Sequence, residues 1–583
     1  MEHVDSGAIP SDHVIDVAII GGGAAGAYCG YRLMKADPQD SPVTAALLAA
    51  SGRSRLDVRI FENSGRIGGR LWSYRFAHVP SFPAELGGMA FNDSMQNVYG
   101  LATSELHLDV RRFKTYDKTY LNYLRRHRFD DSAYTADPKK LGKRAASWYP
   151  REVPYFLDKE DRWQAPGEIL VRILKQSLPA HIRGYADEWF QLTGGDDVSR
   201  IFPLLYQTQE ELRTAHVNYG SESSLKGEPF NDTGLWNLLH QTLGVEAYYL
   251  VYQAGGINTA VRNWNLYDAF FFHVMFGARP FYTPTAGYDT VPKTLVERFH
   301  RNGGHLHLRQ RLLAVTRTER DGEQLLQLVL ASPGSTARVQ VLARNVILAL
   351  PQYALENLDS ESVIFDDPQF RLDLKAVASL PSSKAFMTYD HAWWRKVPYG
   401  PDRELKEPIV DGRSVTDLPM RQCLYVGNEP DDGPGLLMAS YNDGPFAGYW
   451  DGYLHGSQSG QHSKGEFGDV VPPRDMLEDL TGQLKEVHGF NSIPLPQSSI
   501  FHDWMAEPFG GAWHFWNPHV RSWEVLPRIQ QPVPGCNAFV CGESFSNQQG
   551  WVEGALNTAE MVLERFFGLA RPAWVVKNYR FDR

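Results

Sequence analysis

Three glycines near the start of the chain, Gly21, Gly23 and Gly26, have the spacing that a backbone needs to hold a pyrophosphate. The first permits a tight turn, the second lets phosphates approach the backbone, and the third lets a helix and a strand pack closely. Free N–H groups at a helix start would face the phosphates, and the helix dipole favours their charge. The spacing therefore predicts a dinucleotide site, although glycine-rich turns between strand and helix also occur without a nucleotide.

Two predicted strands would position this turn. Residues 14–19 are β-branched and end at glycine, which is typical of a buried parallel strand, and a helical pattern follows the glycines directly. A second strand, residues 57–61, ends at Glu62, whose carboxylate can bind ribose hydroxyls. Glu62 follows Gly23 by 39 residues rather than about 20, so we interpret residues 37–55 as a surface insertion. The alternative for Glu62 is a solvated charge at a strand end.

Bulk composition excludes several classes of function. The 583 residues are 43% apolar and 22% charged, which is ordinary for a globular protein of several domains. A net charge of −10 argues against a nucleic-acid surface. The four cysteines are scattered and form no C-x-x-C, so we predict neither disulfides nor a metal site. The polar first residues and the absence of a long apolar run predict no signal peptide, no membrane span and a cytoplasmic protein.

Further motifs carry a family resemblance. Residues 61–70 read FENSGRIGGR, and this stretch resembles the second signature of the flavin amine oxidases. The segments ELGGM at 85–89, FGGAW at 509–513, VCGE at 540–543 and QGWVEGA at 549–555 then follow in the order of that family. The resemblance spans nearly the whole chain, and the order of the motifs is more specific than any one of them.

The resemblance implies FAD as the cofactor. Glu62 would hold the adenosine ribose, Arg70 would reach the flavin side, and the backbone of Val315 would pair with the adenine. The other cofactor-binding positions that we carry over are Gly21, Gly23, Gly26, Gly87, Gly88, Met89, Glu543, Trp551, Val552 and Ala555. Some relatives attach FAD through a cysteine where Ala512 stands, so we predict noncovalent FAD.

The resemblance also implies a substrate site. Lys384 matches the lysine that holds a water against flavin N5, whereas a lone lysine on a strand is otherwise an edge or snorkelling residue. Trp513 and Trp551 match two aromatic positions that flank the substrate amine, and the Gly550 carbonyl would accept from the substrate nitrogen. Residues 414–425 look like L-amino-acid oxidases, in which Tyr425 would contact the substrate carboxylate. The alternative is a hairpin whose tyrosine packs on a neighbouring strand.

One position departs from the family pattern. Amino-acid oxidases of this family usually carry an arginine after the motif methionine, where it pairs with the substrate carboxylate. This chain has Ala90 there. Either another basic residue, with Arg111, Arg112 and Arg279 as candidates, makes that contact, or the substrate lacks a carboxylate.

Together these features predict an α/β protein of three parts. We expect a Rossmann-like FAD-binding domain (residues 14–75, 281–365 and 526–583), a mixed-sheet substrate-binding domain (76–149 and 366–525) and a helical insertion (150–280). The resemblance implies oxidative deamination of L-amino acids by hydride transfer to flavin N5, with molecular oxygen as the second substrate. The alternatives are an oxidase of amines without a carboxylate, an amino-acid 2-monooxygenase, or a binding scaffold that has lost turnover. Whether the protein forms a homo-oligomer is left open by the sequence.

Overall fold

A computed structural model describes most of the chain. The described residues are 9–10, 12–39, 41–114, 118–136, 139, 152–184, 198–219, 224–257, 262–276, 279–397, 408–456, 465, 469–505 and 510–582.

Twenty-two strands are formed by the described residues. They are β1 (Val14–Ile20), β2 (Val58–Phe61), β3 (Ser73–Tyr74), β4 (Ala84–Glu85), β5 (Phe91–Asn92), β6 (Val110–Arg112), β7 (Thr119–Leu124), β8 (His127–Phe129), β9 (Phe281–Pro284), β10 (His305–His307), β11 (Arg311–Arg320), β12 (Glu323–Ala331), β13 (Arg338–Leu348), β14 (Val377–Leu380), β15 (Ser382–Tyr389), β16 (Arg413–Thr416), β17 (Gln422–Asn428), β18 (Gly435–Asp443), β19 (Asp469–Val470), β20 (Ser498–Asp503), β21 (Trp513–Trp516) and β22 (Ala538–Val540).

Fifteen α-helices lie between the strands in the same described ranges. They are α1 (Ala24–Lys35), α2 (Pro42–Ser51), α3 (Gln96–Gly100), α4 (Pro166–Ser177), α5 (Ile201–Leu212), α6 (Leu235–Thr242), α7 (Val245–Ala254), α8 (Leu266–Phe276), α9 (Thr290–Arg301), α10 (Gln352–Glu356), α11 (Pro368–Leu374), α12 (Asp451–Gly456), α13 (Arg474–His488), α14 (Ser522–Gln530) and α15 (Val552–Phe567). The proposed insertion at residues 37–55 contains α2, whose side chains are mostly exposed.

A seven-stranded sheet contains the glycine motif. Its order is β10-β2-β1-β13-β12-β11, with β22 also paired to β13. β1 is parallel to β2 and β13, whereas β12 runs antiparallel to both β11 and β13. Val17 and Ile19 of β1 pack in one core with α1, α9 and α15, and Ile15 and Ile20 pack in a second core. Burial on both faces explains why β1 is almost continuously apolar.

A second, eight-stranded sheet carries Lys384. Its order is β19-β20-β15-β18-β17-β16-β7-β8, and it is mixed because β7 and β16 are parallel while the other neighbours are antiparallel. The apolar face of α13 packs in a core with this sheet. Helices α4 to α8 build a separate apolar core that reaches Phe515 of β21. The prediction of a mixed α/β fold with several sheets and a helical part is confirmed.

Candidate active site

A cavity of about 650 Å³ connects the glycine motif with the eight-stranded sheet. Residues from widely separated parts of the sequence line it. The predicted site residues among them are Gly21, Gly23, Glu62, Arg70, Gly87, Gly88, Met89, Lys384, Trp513, Glu543, Gly550, Trp551, Val552 and Ala555. Gly26, Val315 and Tyr425 are the predicted site residues that lie outside this lining.

The three glycines of the motif differ in the space that surrounds them. Gly21 has φ +105°, and an added Cβ there would lie 2.5 Å from the Ala349 carbonyl oxygen. At Gly26 the added Cβ would lie 1.9 Å from the Gly21 oxygen. The nearest atom to a Cβ at Gly23 is the Gly69 Cα, 3.8 Å away. Gly21 and Gly26 therefore allow the strand and helix to pack, whereas Gly23 borders the open space.

Glu62 is tied to the glycine turn. Its carboxylate oxygens accept from the backbone N–H groups of Gly22, at 2.7 Å, and Ser64, at 2.8 Å. A carboxylate offers about four acceptor positions. The two bonds fix the side chain at the end of β2 and still leave capacity for hydroxyl groups in the cavity.

A partly buried ion pair lies in the lining of the cavity. Arg70 Nη1 donates to Glu543 Oε2 at 2.7 Å and to the Ala512 carbonyl at 3.1 Å. The same Glu543 accepts from the His514 backbone and ring and from Gly550 N, at 2.7 to 3.0 Å. Burial alone would raise the pKa of Glu543, but Arg70, His514 and these bonds outweigh it and lower that pKa to about 2. Glu543 is therefore a firmly charged carboxylate that joins three separate segments.

Lys384 lies on β15, between β18 and β20, and its amine is buried. Nζ donates to the Glu85 carbonyl at 3.0 Å and to the Gly87 carbonyl. It also lies 4.8 Å from the centre of the Tyr441 ring. Burial lowers the pKa of Lys384 to about 7, and the nearby Glu85 opposes this shift without cancelling it. The lysine can therefore lose its charge near neutral pH.

Aromatic side chains form one wall of the cavity. The Trp513 ring is stacked 5.9 Å from Phe272, and the Trp551 ring is stacked 5.7 Å from Phe281. Gly550 has φ +84°, and an added Cβ would lie 2.7 Å from Cε3 of Trp513. A larger residue at 550 would therefore push Trp513 out of this arrangement. Both tryptophans keep part of their surface open to the cavity.

The position that departs from the family pattern does face the cavity. Ala90 is a lining residue and is 6% exposed. The candidate replacements Arg111, Arg112 and Arg279 are not lining residues, and Arg279 donates through two nitrogens to both carboxylate oxygens of Asp93. The basic side chains among the described lining residues are Arg70, Arg309, Arg311 and Lys384.

Tyr425 requires a correction. It is fully buried on β17, outside the cavity, and its hydroxyl lies 2.6 Å from Ser414 Oγ and 2.7 Å from His488 Nε2. Burial lowers the pKa of His488 to about 4, so its ring is neutral, and Nδ1 lies 2.7 Å from the Leu484 carbonyl. Nδ1–H therefore donates to that carbonyl, which leaves Nε2 to accept from the Tyr425 hydroxyl. The hairpin alternative is the one that the structure supports, and the prediction of a carboxylate contact is wrong for this arrangement.

Val315 also requires a correction. It is buried in β11, where it pairs with Leu328, and it does not line the cavity. Leu312, three residues earlier, does line it. A register shift separates Leu312 from Ala314, and such an irregularity changes which residues of a strand reach a given place. On β11, Arg311 and Leu312 therefore line the cavity, whereas Val315 does not.

Several lining or supporting residues were not identified from the sequence. Phe272, Phe281 and Tyr441 complete the aromatic wall, and Glu85 and His514 support Lys384 and Glu543. Glu85 lies inside the ELGGM motif and His514 follows the FGGAW motif, so proximity to a motif was the available signal.

The structure also bears on disulfide bonds, metal sites and membrane-spanning helices. All four cysteines are buried free thiols. In the described part of the chain, His, Cys, Asp and Glu side chains do not gather in a group of three or more that could hold a metal ion. Within the same ranges, none of the helices combines the length and the apolar character needed to cross a bilayer.

Comparison with known proteins identifies the family. The model for flavin-containing amine oxidoreductases matches residues 43–562. Aplysianin-A of Aplysia kurodai is 26% identical over 95% of this chain and 91% of its own length. Achacin of Lissachatina fulica is 24% identical over 95% and 93%. L-amino-acid oxidase 4 of Hebeloma cylindrosporum is 23% identical over 50% and 45%. The chain belongs to the flavin-containing amine oxidoreductase family.

Membership of this family implies a flavin cofactor, and the residues of the cavity fit one. At one end, Gly23 leaves open space beside the start of α1 and Glu62 keeps free acceptor capacity. Trp513, Trp551 and Lys384 line the same cavity. A cavity of about 650 Å³ that is lined by a glycine-rich turn before a helix and by flat aromatic rings has features that suit a flavin nucleotide.

Proposed function

We propose that the protein is an FAD-dependent oxidase that converts L-amino acids to 2-oxo acids, ammonia and hydrogen peroxide. The observation that carries this proposal is that Lys384, Trp513 and Trp551, from separate segments, line the same cavity as the glycine motif. Family membership and the partial similarity to a protein named L-amino-acid oxidase 4 support the substrate class.

The proposal assigns the two ends of the cavity to different parts of FAD. Backbone N–H groups after Gly21 and Gly23 would hold the pyrophosphate, and Glu62 would hold the ribose. Arg70 would approach the polar edge of the flavin from its ion pair with Glu543. Because Ala512 offers no thiol, the cofactor would be bound noncovalently. Acid precipitation should therefore release all of the yellow colour into the supernatant.

The same proposal divides the chain into functional parts. The seven-stranded sheet would be a Rossmann-like FAD-binding domain built from residues 14–75, 281–365 and 526–583. Residues 76–149 and 366–525 would form the substrate-binding domain, and 150–280 would form the helical insertion. The parallel pairing of β1 with β2 and β13, followed by α1 at the glycine turn, supports the first assignment.

When bound, FAD would supply the redox chemistry, which is the removal of a hydride from the substrate α carbon and the transfer of the electrons to oxygen. The residues of the chain orient the substrate and exclude water. Trp513 and Trp551 would hold the alkyl amine by dispersion and cation–π attraction, at about 1 kcal/mol for each ring. Their packing against Phe272 and Phe281 fixes the wall before the substrate arrives.

Lys384 would act when oxygen is reduced. A buried amine that is neutral near pH 7 can hold a water molecule without adding a strong positive charge. The two backbone carbonyls that accept from Nζ fix its position. We propose that this water would relay a proton from the protonated fraction of Lys384 during peroxide formation, and that the lysine would then be reprotonated from solvent.

Oxidation of amines without a carboxylate is the second candidate. Ala90 favours it, since this residue lines the cavity where the family arginine would be. Two of the four basic lining residues in the described ranges are already engaged. Arg70 is paired with Glu543, and Lys384 is bonded to backbone carbonyls.

Anaerobic mixing of the holoprotein with L-amino acids, monoamines and polyamines separates these candidates. Bleaching of the flavin by L-amino acids supports the proposal, and bleaching by amines alone would replace it with the second candidate. Bleaching by none of them would indicate a flavoprotein without turnover. In air, equal yields of peroxide and 2-oxo acid are expected, whereas an amide product would indicate a 2-monooxygenase.

A further inference from the structure

The hairpin of β16 and β17 holds the end of helix α7. Residues 414–425, which carry the resemblance to the L-amino-acid oxidases, belong to this hairpin. Arg421, just before β17, is fully buried, and Nη1 donates to the Thr416 carbonyl at 2.6 Å. Nη2 donates to the carbonyls of Tyr252, at 3.3 Å, and Gln253, at 3.1 Å. These two carbonyls lie in the last turn of α7, where a helix leaves its carbonyls unpaired and where its dipole favours a cation.

Two neighbours of Arg421 continue this contact past the helix end. Gln422 Nε2 donates to the Gly256 carbonyl at 3.2 Å, and Arg413 Nη1 donates to the Gly255 carbonyl at 3.4 Å. Gly256 has φ +75°, and an added Cβ there would lie 3.0 Å from Gln422 Oε1. Three side chains of the hairpin therefore hold four backbone carbonyls between residues 252 and 256.

The backbone of Arg421 has an uncommon conformation. Its φ is +59°, in a region that few residues other than glycine adopt. The turn is closed by Arg421 N, which donates to the Leu418 carbonyl at 2.9 Å, and by Thr416 N, which donates to the Arg421 carbonyl at 2.8 Å. Because this conformation costs free energy, a specific role for the arginine side chain is expected.

The segment held by the hairpin leads directly into the cavity wall. Ile257, the residue after Gly256, lines the cavity. Among the described residues of the helical part, 150–280, Phe272 is the other lining residue. The Phe272 ring is stacked against Trp513 of the candidate substrate site. The helical part therefore reaches the cavity through two described residues, and the backbone before one of them is fixed by the hairpin.

We propose that Arg421 is a positioning residue of the candidate substrate site and that it acts through Ile257. By bonding the carbonyls at the end of α7, Arg421 keeps Ile257 in the cavity wall, where its side chain limits the space for the substrate. Only the substrate readout rests on the proposed function, because the contact between hairpin and helix is a property of the chain itself. Residues 414–425 then serve the substrate site without a contact from Tyr425.

Hydrogen–deuterium exchange of the full-length holoprotein tests whether Arg421 holds the helix end. Arg421→Gln should let the last turn of α7 fray, so exchange in peptides covering residues 250–257 should rise about tenfold. Arg421→Lys keeps a cationic donor and should restore part of the protection. Unchanged exchange of residues 250–257 in Arg421→Gln would overturn the proposal, whether or not the protein is an oxidase.

Arg128→Gln is the matched control for both readouts. Arg128 donates to the last carbonyls of α13, those of Glu486 and, at 2.7 Å, Val487. All of α13 is described, and none of its residues lines the cavity. This variant should therefore increase exchange at the end of α13 and leave residues 250–257 as in wild type.

Substrate titration tests the positioning role. Anaerobic bleaching by the better substrate among L-amino acids and amines gives a half-saturating concentration and a limiting rate. Arg421→Gln should raise the half-saturating concentration about tenfold and change the limiting rate less, and Arg421→Lys should restore most of the affinity. Ile257→Ala, which leaves the hairpin intact, should also change the half-saturating concentration. Flavin retention and the oxygen rate should match wild type in the Arg421 variants.

The outcomes separate this proposal from the proposed function. If Arg421→Gln does not fold, Gln422→Met removes only the bond to the Gly256 carbonyl and should show the same changes at smaller size. A wild-type half-saturating concentration in the variant, or an equal rise in Arg128→Gln, would refute the positioning role. No bleaching of the wild-type protein would refute the proposed function and the substrate role, and the exchange result would still decide whether Arg421 holds the helix end.

Discussion

Replacing Glu543 by glutamine should destabilise the protein by an amount that depends on pH. In the structure this carboxylate accepts from Arg70, from two groups of His514 and from Gly550 N. Glutamine keeps the size, but it removes the charge and turns an NH₂ group towards donors. Arg70 would then be left without its ion-pair partner.

The magnitude follows from the depressed pKa of Glu543, which is about 2 instead of 4.5. A difference of 2.5 pKa units corresponds to about 3 kcal/mol of folding free energy. Because the folded pKa is the lower one, this stabilisation is fully present above about pH 4.5 and is lost as the pH falls towards 2. The gap between wild type and Glu543→Gln should therefore be about 3 kcal/mol at pH 7 and should shrink by about 2 kcal/mol by pH 3.

Urea unfolding followed by tryptophan fluorescence measures this gap at each pH. Glu361→Gln, which changes an exposed carboxylate, serves as the control and should stay within about 0.5 kcal/mol of wild type throughout. A Glu543→Gln gap that is the same at pH 7 and pH 3 would refute the reasoning, because the loss would then come from shape rather than charge.

Three other substitutions test separate parts of the account. Gly26→Ala places a methyl 1.9 Å from the Gly21 oxygen, so flavin retention on gel filtration should be lost, whereas Gly167→Ala, with open space around it, should retain the cofactor. Equal retention by both would contradict the packing role of Gly26. Tyr425→Phe removes buried hydrogen bonds and should cost about 1 kcal/mol in urea unfolding. It should leave the substrate KM unchanged, and a large rise in KM would indicate that Tyr425 does contact the substrate. Lys384→Met should keep the flavin bound, and stopped-flow mixing of the reduced protein with oxygen should show reoxidation slowed by about 100-fold. An unchanged oxygen rate would remove Lys384 from the mechanism.

Features encoded by local spacing could be predicted from the sequence. The strand and helix around the glycine motif follow from apolar runs broken at defined positions. The last helix, Val552–Phe567, begins inside the QGWVEGA motif, and Gly568 ends it in a left-handed conformation. The glycine and aromatic motifs also meet at one cavity as their order suggested.

Tyr425 and Val315, which lie outside the cavity, are both on strands whose pairing is irregular. A register shift follows Tyr425 on β17, and another separates Leu312 from Ala314 on β11. A bulge changes which face of a strand a residue occupies, and neither its presence nor the register of the partner strand can be read from one segment. The supporting role of Glu85 could not be predicted for another reason. Its strand, β4, has only two residues, which are too few to show a periodic pattern.

A structure of the holoprotein tests the central claim most directly. The account predicts the flavin ring inside the cavity, with Trp513 and Trp551 facing one side of the substrate space and Lys384 close to the ring. The phosphates should lie against the turn formed by Gly21 and Gly23. A flavin bound elsewhere, or a ring in contact with neither the tryptophan pair nor Lys384, would contradict the account.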